Sequence, residues 1–403
     1  MKVTIRPSTA CGEVTAPPSK SMTHRALICG ALSQESVIRN IAYSQDVQAT
    51  LRCLEAMGAY VKRQDDCVTI GGLDPFSVPP YTVLDCGESG STLRFLLPLC
   101  LLSGNSVILK GSRRLMERPL GVYEDICRQQ HLTFSRTENE ITVCGKLSAS
   151  VYRVPGNVSS QFISGLLFAL SLLDRESVIE IIAPFESESY VTMTLAMLAA
   201  FGINVNRDEL RLIVNGKGVF CSHDYTVEGD FSNAAFLDGF NLIGGDVKVN
   251  GLSPESAQGD GVYKAFYRQF QGETREFDLS DCPDLGPVMF SLAAACGGAI
   301  FSGTARLHIK ESDRVVSMVT ELAKFGVSAV VGENTVVIQA GDMQSPTQTL
   351  YAHNDHRVAM ALSLLCSVVG GVIEGAESVA KSYPNYFETI RSLGIEVKIN
   401  DIC

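Results

Sequence analysis

The sequence contains no tryptophan and has no surplus of positive charge. Its 33 lysine and arginine residues are outnumbered by 44 aspartate and glutamate residues, which gives a formal net charge of -11 at pH 7. Without tryptophan or a basic stripe, nucleic acid is disfavoured as a partner. No apolar stretch reaches the roughly 18 uninterrupted residues that mark a membrane-spanning helix. The composition, 46% hydrophobic and 19% charged, is typical of a soluble globular protein.

The thirteen cysteines lack the spacing of a structural metal site, because no two of them form a C-x2-C pair. We expect them to be reduced and buried, with Cys100, Cys296 and Cys366 inside apolar helices. Residues 1–7 alternate like a strand and lack the long apolar segment of a signal peptide. The sequence therefore predicts a cytoplasmic protein without a membrane segment.

An internal repeat with a period of about 70 residues runs through the chain. Each copy begins with an apolar helix, a polar or glycine turn and a short β-rich run, most clearly at residues 31–38 and 102–108. A second, amphipathic helix stops at a glycine, as at Gly58, Gly326 and Gly394, which is the usual left-handed helix stop. Each copy therefore predicts a helix, a strand, a second helix and a hairpin.

Six such copies predict an α/β (α+β) protein with two lobes of three repeat units each. By repeat phase, the first lobe spans residues 18–227, and the second combines residues 1–17 with residues 228–403. The first strand is then expected to pair back onto the second lobe. A plain stack of repeats, as in a solenoid, is the alternative, which the long and varied loops between copies disfavour.

Five short cationic clusters interrupt this acidic chain. Lysines and arginines stand singly among serine, proline and acidic residues at 18–25, 117–119, 310–314, 353–357 and 380–384. Cations placed in this way favour pockets for small, highly charged anions, such as a phosphorylated metabolite. If the clusters converge, two cations about 8 Å apart repel by roughly 2 kcal/mol at an effective dielectric of 20. On this reasoning, only a polyanionic ligand justifies the arrangement.

Several clusters open apolar helices, where backbone N–H groups and the helix dipole attract anions. Residues 87–94 and 159–161 offer glycine, hydroxyl and amide groups at similar positions. For each of these segments, an ordinary helix cap or a solvated ion pair is the alternative interpretation.

The third and fourth clusters allow more specific predictions. Lys310 and Arg314 are four residues apart, so a helix that begins at residue 310 would bring them to one face. A metal site at His353, Asp355 and His356 is disfavoured, because the sequence shows no helical i, i+4 histidine pair and no distant third ligand.

In order and spacing, the clusters resemble those of the EPSP synthase (5-enolpyruvylshikimate-3-phosphate synthase) family over essentially the whole chain. The resemblance implies a two-lobed enolpyruvyl-transferase-like fold with three βαβαββ units in each lobe. It implies transfer of the carboxyvinyl group of phosphoenolpyruvate to the 5-hydroxyl of shikimate 3-phosphate, with release of phosphate, in aromatic amino-acid biosynthesis. It implies no metal or organic cofactor. We expect a monomer whose partners are these two small substrates, not nucleic acid or a membrane.

The resemblance also implies roles for individual residues. Asp284 would accept the hydroxyl proton, and Glu311 and Lys20 would move protons to and from the vinyl carbon. Shikimate 3-phosphate would be held by Lys20, Ser21, Arg25, Ser159, Ser160, Gln161, Ser187, Tyr190, Asp284 and Lys310. Phosphoenolpyruvate would be held by Lys20, Gly90, Arg118, Gln161, Arg314, Arg357 and Lys381. Because an aspartate pKa is ordinarily near 3.9, Asp284 needs strong positioning or a raised pKa to act as a base.

Three positions depart from the family pattern. Glu88 stands where asparagine is common, Pro18 where glycine is usual, and Arg306 where some members have asparagine. These changes bear on binding constants and on inhibition by glyphosate, for which Gly90 keeps the small residue associated with sensitivity.

Two alternative functions remain. UDP-N-acetylglucosamine enolpyruvyl transferase shares the fold and the chemistry, but its family carries a catalytic cysteine in the loop that corresponds to residues 111–118, where this chain has none. A non-catalytic, anion-sensing relative would be expected to lose Asp284 or Glu311, and both are present.

Overall fold

The computed structural model describes residues 1–270, 272 and 275–400. The chain divides into two compact units. We call Pro18–Glu228 the central unit, and Met1–Pro17 together with the chain from Gly229 onward the terminal unit. No helix in the described part of the chain combines the length and the apolar character that a bilayer span requires.

The central unit contains both helices and strands along its whole length. The chain opens with two strands of the terminal unit, Lys2–Ile5 (β1) and Cys11–Thr15 (β2). The central unit then contributes the strands Ser36–Arg39 (β3), Tyr60–Gln64 (β4), Cys67–Gly71 (β5), Thr82–Asp85 (β6), Val107–Lys110 (β7), Thr133–Arg136 (β8), Glu140–Cys144 (β9), Val151–Pro155 (β10), Ser177–Ile182 (β11), Val205–Asp208 (β12), Arg211–Val214 (β13) and Tyr225–Thr226 (β14). Its α-helices are Lys20–Leu32 (α1), Gln45–Ala56 (α2), Gly90–Cys100 (α3), Arg113–Glu117 (α4), Gly121–Gln129 (α5), Ser160–Leu170 (α6) and Glu188–Ala200 (α7).

The described strands of the central unit form three four-stranded sheets with one connectivity. The orders are β14-β3-β5-β4, β6-β7-β9-β8 and β10-β11-β13-β12. In each sheet, the first two strands are parallel and the last two form an antiparallel hairpin. Parallel neighbours need a crossover connection, which α3 supplies between β6 and β7, and α6 between β10 and β11. Strand β14 completes the first sheet from the far end of the unit, with Tyr225 opposite Ile38.

The terminal unit uses the same elements. Its later strands are Asp246–Asn250 (β15), Glu276–Asp278 (β16), Ala299–Ser302 (β17), Ala329–Val331 (β18), Thr335–Ile338 (β19), Leu350–Tyr351 (β20), Gly371–Glu374 (β21) and Val397–Asn400 (β22). Its α-helices are Phe231–Asp238 (α8), Tyr263–Gln269 (α9), Gly286–Ala295 (α10), Arg314–Lys324 (α11), His356–Val369 (α12) and Tyr386–Ser392 (α13). Short 3₁₀ helices at Pro283–Leu285, Ala305–Ile309 and Ala376–Lys381 carry or adjoin charged residues of the site.

Strands from both ends of the chain meet in the terminal unit. Strand β1 lies between β21 and β22 and is antiparallel to both, so that Val3 faces Ile373 on one side and Ile399 on the other. Strand β2 pairs with β15 in parallel. The remaining described sheet, β16-β17-β19-β18, repeats the connectivity of the central unit.

The inner helices α3 and α6 are buried on nearly all sides and are mostly apolar, as expected for helices surrounded by protein. In α3 every residue is buried except Ser91, and in α6 every residue is buried except Gln161. Both exceptions lie in the first turn. The accessible polar atoms of these inner helices are therefore at their N-terminal ends, where anions are favoured.

The cysteines are free wherever the structure describes them. Most are buried or half-buried, but Cys11 and Cys221 are exposed, so the expectation that all are buried is wrong for these two. Cys296 is the C-cap residue of α10 and is half-buried. Contrary to expectation, it therefore does not lie inside the helix. Cys403 lies outside the described residues.

Candidate active site

In the central unit, the first cationic cluster forms the N-terminus of α1. The buried Ser19 caps the helix by accepting a bond from the Met22 backbone N–H at 3.4 Å. Lys20 is the first helical residue, and its Nζ lies 2.9 Å from Asp46 Oδ2. Ser21 follows and is half-buried. The sequence thus places an ammonium group and a helix N-terminus together, which is the arrangement predicted for anion binding.

Arg25 lies one turn further along α1 and is held tightly. Its Nε donates to Thr194 Oγ1 at 2.8 Å and its Nη2 to the Tyr190 carbonyl at 2.9 Å. The guanidinium also lies 5.1 Å from the centre of the Phe95 ring. Burial lowers the pKa of Arg25 to about 10, so it stays charged near neutral pH. Of the predicted residues, Arg25 and Tyr190 are therefore brought together through α7.

The second group in the central unit surrounds Gly90, the first residue of α3. Ser89 caps the helix by accepting a bond from Thr92 N–H at 3.2 Å. A Cβ atom on Gly90 would clash with Arg118 Nη1 and would lie 2.9 Å from Arg94 Nη1. Any larger residue at position 90 would therefore have to displace one or both of these guanidinium groups.

Arg118 and Arg94 differ in their surroundings. Arg118 is buried at the C-terminal end of α4, and its Nε has no hydrogen-bond partner among the described residues. Arg94 donates from Nη1 to Gln161 Oε1 at 2.9 Å, and Gln161 in turn donates from Nε2 to Ser91 Oγ at 2.9 Å. Arg94 therefore orients Gln161, which is predicted to bind both substrates. The sequence reasoning missed Arg94 as a site residue, although its position one turn after Gly90 on the same helix face could have indicated it.

The remaining predicted residues of the central unit lie at two helix starts. Ser159 caps α6 by accepting a bond from Gln161 N–H at 3.3 Å, and Ser160 is its buried first residue. Ser187 precedes α7 in the left-handed region, with φ 55° and ψ 41°. The predicted helix-capping alternative thus describes Ser159 correctly, although a cap and a ligand contact are compatible.

In the terminal unit, Asp284 lies at the centre of a charged cluster. Its Oδ1 accepts bonds from Lys310 Nζ at 3.2 Å and from Arg314 Nη1 at 2.9 Å, and its Oδ2 accepts one from Arg357 Nη2 at 3.0 Å. The 3₁₀ helix Pro283–Leu285 presents the carboxylate just before α10. The structure therefore brings together four residues that the sequence predicted for the site.

Arg314 connects this aspartate to two further acids. Its Nε lies 2.9 Å from Asp355 Oδ2, and its Nη2 lies 2.8 Å from Glu311 Oε2. The Arg314 side chain is 1% exposed and that of Asp355 is fully buried. Asp355 also caps α12 by accepting a bond from the Arg357 backbone N–H at 2.9 Å. The sequence reasoning did not identify Asp355 as a partner of Arg314, because the pair is distant in sequence.

The expected helix at residues 310–314 is wrong in one respect. Helix α11 begins at Arg314, whereas Lys310 is extended with φ -85° and ψ -161°, so the two cations do not share a helical face. They meet instead at the Asp284 carboxylate. The three acids Asp284, Glu311 and Asp355 also offset much of the repulsion expected among the cations of this unit.

The charges of this cluster shift each other's pKa. Burial alone would raise the pKa of Asp284, but the three neighbouring cations outweigh it and hold the pKa well below its usual range. Burial lowers the pKa of Lys310 to about 8, although the negative charge of Asp284 opposes this shift. At neutral pH Asp284 is therefore ionised. Lys310 is still mostly protonated there, but it loses its proton as the pH rises through about 8.

Lys381 ends the 3₁₀ helix Ala376–Lys381 and is buried. Its Nζ donates to the Asn354 carbonyl at 2.5 Å. His353, for which a metal site with Asp355 and His356 is disfavoured, bonds through Nε2 to Glu321 Oε1 at 2.9 Å. Among the described residues, no group of three or more histidine, cysteine, aspartate or glutamate side chains is arranged to hold a metal ion.

Comparison with known proteins places these features in a class of transferases. The model of the family described as EPSP synthase (3-phosphoshikimate 1-carboxyvinyltransferase) matches residues 6–390. A protein named 3-phosphoshikimate 1-carboxyvinyltransferase from Clostridium kluyveri is 39% identical, with 98% of each chain covered. One of the same name from Clostridioides difficile is 36% identical, with 97% of each chain covered. The chain belongs to the EPSP synthase family.

Solved structures agree on the fold. A structure titled EPSP synthase from Acinetobacter baumannii covers 100% of both chains with a TM-score of 0.80 and 21% sequence identity. A second structure of the synthase from the same organism gives a TM-score of 0.79 at 22% identity and covers 99% of this chain. At this identity the likeness establishes the fold alone, and it confirms the predicted enolpyruvyl-transferase-like fold class.

Proposed function

We propose that this chain transfers the carboxyvinyl group of phosphoenolpyruvate to the 5-hydroxyl of shikimate 3-phosphate and releases phosphate. Family membership supports the reaction. The observation that carries the proposal is Asp284, an ionised carboxylate bonded to Lys310, Arg314 and Arg357. A carboxylate that accepts a proton, surrounded by cations that bind anionic substrates, is the combination this reaction needs.

The roles of the residues are proposed as follows. Arg314, Arg357, Lys381, Lys20, Arg118, Gln161 and the Gly90 backbone hold phosphoenolpyruvate. Arg25, Ser21, Ser159, Ser160, Gln161, Ser187, Tyr190, Lys310 and Lys20 hold shikimate 3-phosphate. It stays a prediction that cations of both units act on one pair of substrates.

The proposed chemistry balances in two stages. In the first, Asp284 takes the proton of the 5-hydroxyl, the hydroxyl oxygen bonds to C2 of phosphoenolpyruvate, and C3 gains a proton, which gives a tetrahedral adduct. In the second, C3 loses a proton, the C2–O bond to phosphate breaks, and the leaving phosphate takes up the proton that Asp284 accepted, which gives the enol ether and phosphate and leaves Asp284 ionised again. Glu311 and Lys20 are proposed to give and take the C3 proton.

The low pKa of Asp284 fits this role only if substrate binding changes it. A carboxylate held by three cations is a weak base. Arriving phosphate and carboxylate groups would compete with Asp284 for Lys310, Arg314 and Arg357, and the attraction that lowers its pKa would weaken. The pKa would then rise towards the operating pH, where a general base is most effective.

The direct test is phosphate release from phosphoenolpyruvate with and without shikimate 3-phosphate. Release only when both are present supports the proposal. Release with UDP-N-acetylglucosamine in place of shikimate 3-phosphate, or no release in either case, would overturn it.

We further propose that the protein is a cytoplasmic monomer that acts on these small molecules and on no nucleic acid.

Gly90→Ala is expected to raise the KM for phosphoenolpyruvate by about tenfold, because the new Cβ displaces the Arg118 guanidinium and weakens a charge-assisted hydrogen bond. Gly121→Ala is the matched control, since its Cβ would meet nothing within 4 Å at the start of α5. Steady-state kinetics checks both variants. An unchanged KM in Gly90→Ala would show that Arg118 does not bind this substrate.

The depressed pKa of Lys310 predicts a pH effect. As the pH rises through about 8, Lys310 loses its proton in the unliganded protein, so kcat/KM for shikimate 3-phosphate should fall. Lys310→Arg keeps its charge in this range and should lose that limb of the profile. The substrate phosphate is not the cause, because its second ionisation is near pH 6. If kcat/KM of Lys310→Arg falls over the same pH range, a group other than Lys310 causes the fall.

A further inference from the structure

Glu321 is a buried carboxylate in α11 with a side chain that is 1% exposed. A buried carboxylate needs hydrogen bonds to both oxygens to be tolerated. Its Oε1 accepts bonds from Lys324 Nζ at 3.0 Å and from His353 Nε2 at 2.9 Å. Its Oε2 accepts bonds from Lys324 Nζ at 2.8 Å and from the Tyr351 backbone N–H at 2.9 Å. Burial would raise the pKa of Glu321, but these bonds outweigh it and keep the pKa below its usual range.

These bonds lead to one short segment of the chain. Lys324 Nζ, already bonded to Glu321, also donates to the Thr349 carbonyl at 3.1 Å. The segment from Thr349 to His353 is therefore fixed to α11 at three points: the Thr349 carbonyl, the Tyr351 N–H and the His353 imidazole. Glu321 contributes to all three, directly or through Lys324.

The segment continues into a strained turn. His353 and Asn354 both lie in the left-handed region, with φ values of 51° and 53°. That region is disfavoured for residues with a Cβ atom, and such conformations persist only where the surroundings enforce them. The bond from the His353 side chain to Glu321 restrains the turn at its start, and the bond from the Asp355 N–H to the Ala352 carbonyl, at 2.9 Å, closes it.

The turn carries groups of the proposed site. The Asn354 carbonyl accepts the 2.5 Å bond from Lys381 Nζ. The next residue, Asp355, bonds to Arg314 Nε and to the Arg357 backbone N–H. A change in the turn would therefore move the acceptor of Lys381 and the carboxylate that aligns Arg314 and Arg357.

We propose that Glu321 is a positioning residue for the phosphoenolpyruvate subsite. It holds the His353–Asn354 turn in its left-handed conformation, and the turn sets Lys381, Arg357 and Arg314 in place. This inference rests on the proposed function for the identity of the ligand, but the restraint of the turn stands on the contacts alone.

The test compares three variants. Glu321→Gln removes the charge that orders Lys324 and His353, and His353→Ala removes the imidazole but leaves the left-handed backbone disfavoured. His353→Gly removes the same imidazole and also removes the backbone strain, because glycine adopts this conformation readily. Asp238→Asn is the matched control, since Asp238 is a half-buried carboxylate of the same unit that bonds to the Tyr263 hydroxyl instead of this segment.

We expect Glu321→Gln and His353→Ala to raise the KM for phosphoenolpyruvate by about tenfold, the effect of one lost charge-assisted bond. The KM for shikimate 3-phosphate should change less, by no more than about twofold, because the turn bonds to Lys381, Arg314 and Arg357, which are proposed to hold phosphoenolpyruvate, and reaches Asp284 only through them. His353→Gly should retain a nearly normal KM for phosphoenolpyruvate. Asp238→Asn should lower the melting temperature but should not raise the KM for phosphoenolpyruvate relative to the KM for shikimate 3-phosphate.

Two results would overturn the inference. If His353→Gly and His353→Ala raise the KM equally, the imidazole acts by its own contacts and not by holding the turn. If Glu321→Gln lowers the melting temperature but leaves both KM values unchanged, its role is structural only.

Hydrogen exchange separates this inference from the proposed function. Amide exchange of residues 349–357 should be faster in Glu321→Gln and His353→Ala than in the unaltered protein, and close to normal in His353→Gly. If the unaltered protein releases no phosphate from the two substrates, the proposed function fails, and the exchange pattern alone decides whether Glu321 holds the turn. Equal exchange in all variants would contradict the restraint even in an active enzyme.

Discussion

Asp284→Ala is expected to lower kcat by about 10²- to 10⁴-fold, the usual contribution of a positioned general base. The substrate hydroxyl would then lose its proton to water alone. Asp284→Asn should show a loss of similar size, because an amide cannot accept the proton either. Rate measurements at saturating concentrations of both substrates check this prediction.

Binding should respond differently from turnover. Asp284 partly neutralises Lys310, Arg314 and Arg357, so its removal leaves these cations more strongly positive. The affinity for phosphoenolpyruvate should therefore be kept or increased, which calorimetry on Asp284→Ala can measure. Asp278→Ala serves as a control, because this exposed carboxylate of the same unit bonds locally to Ser280.

Two outcomes would contradict the assignment. Near-normal turnover of Asp284→Ala would show that another group accepts the proton. Loss of phosphoenolpyruvate binding together with turnover would show that Asp284 mainly organises its three cationic neighbours.

Arg314→Met is expected to lower the free energy of unfolding by about 3–5 kcal/mol, the usual effect of removing one partner of a buried ion pair. Arg314 bonds directly to the fully buried Asp355, beside His356 Nδ1 at 3.9 Å, and it also bonds to Asp284 and Glu311. Methionine has a similar volume but leaves Asp355 as an uncompensated buried charge. Urea or thermal unfolding measures the loss.

Arg63→Met is the matched control for this prediction. Arg63 makes two bonds to Glu55 on the surface, at 2.8 Å and 2.7 Å, and its side chain is 41% exposed. Exposed ion pairs contribute about 0–1 kcal/mol. A loss in Arg314→Met no larger than that in Arg63→Met would mean that Asp355 finds another partner or takes up a proton.

The sequence predicted the fold class and several helix starts because those features are local. Repeated patterns of helix, glycine stop and hairpin depend on neighbouring residues, and the likeness to solved structures confirms the fold class. Lys20 occupies the first position of α1, and Arg357 lies in the first turn of α12. Such helix starts can be recognised from capping residues and apolar periodicity.

The partners of these cations could not be predicted in the same way. Arg314 begins α11 whereas Asp355 caps α12, and Arg94 and Gln161 belong to different helices. Such pairs depend on how helices pack, which a single sequence does not show. The helix expected at Lys310 failed because the i, i+4 spacing of two cations is equally compatible with an extended segment that ends at a shared carboxylate.

The position of β1 has a consequence for synthesis of the protein. Its four residues pair with β22, so the sheet that contains them is completed only after nearly the whole chain has left the ribosome. At about 5–20 residues per second, the nascent N-terminal strand waits for tens of seconds without its neighbours. The central unit has all its strands by residue Thr226, and so it can become ordered during that wait.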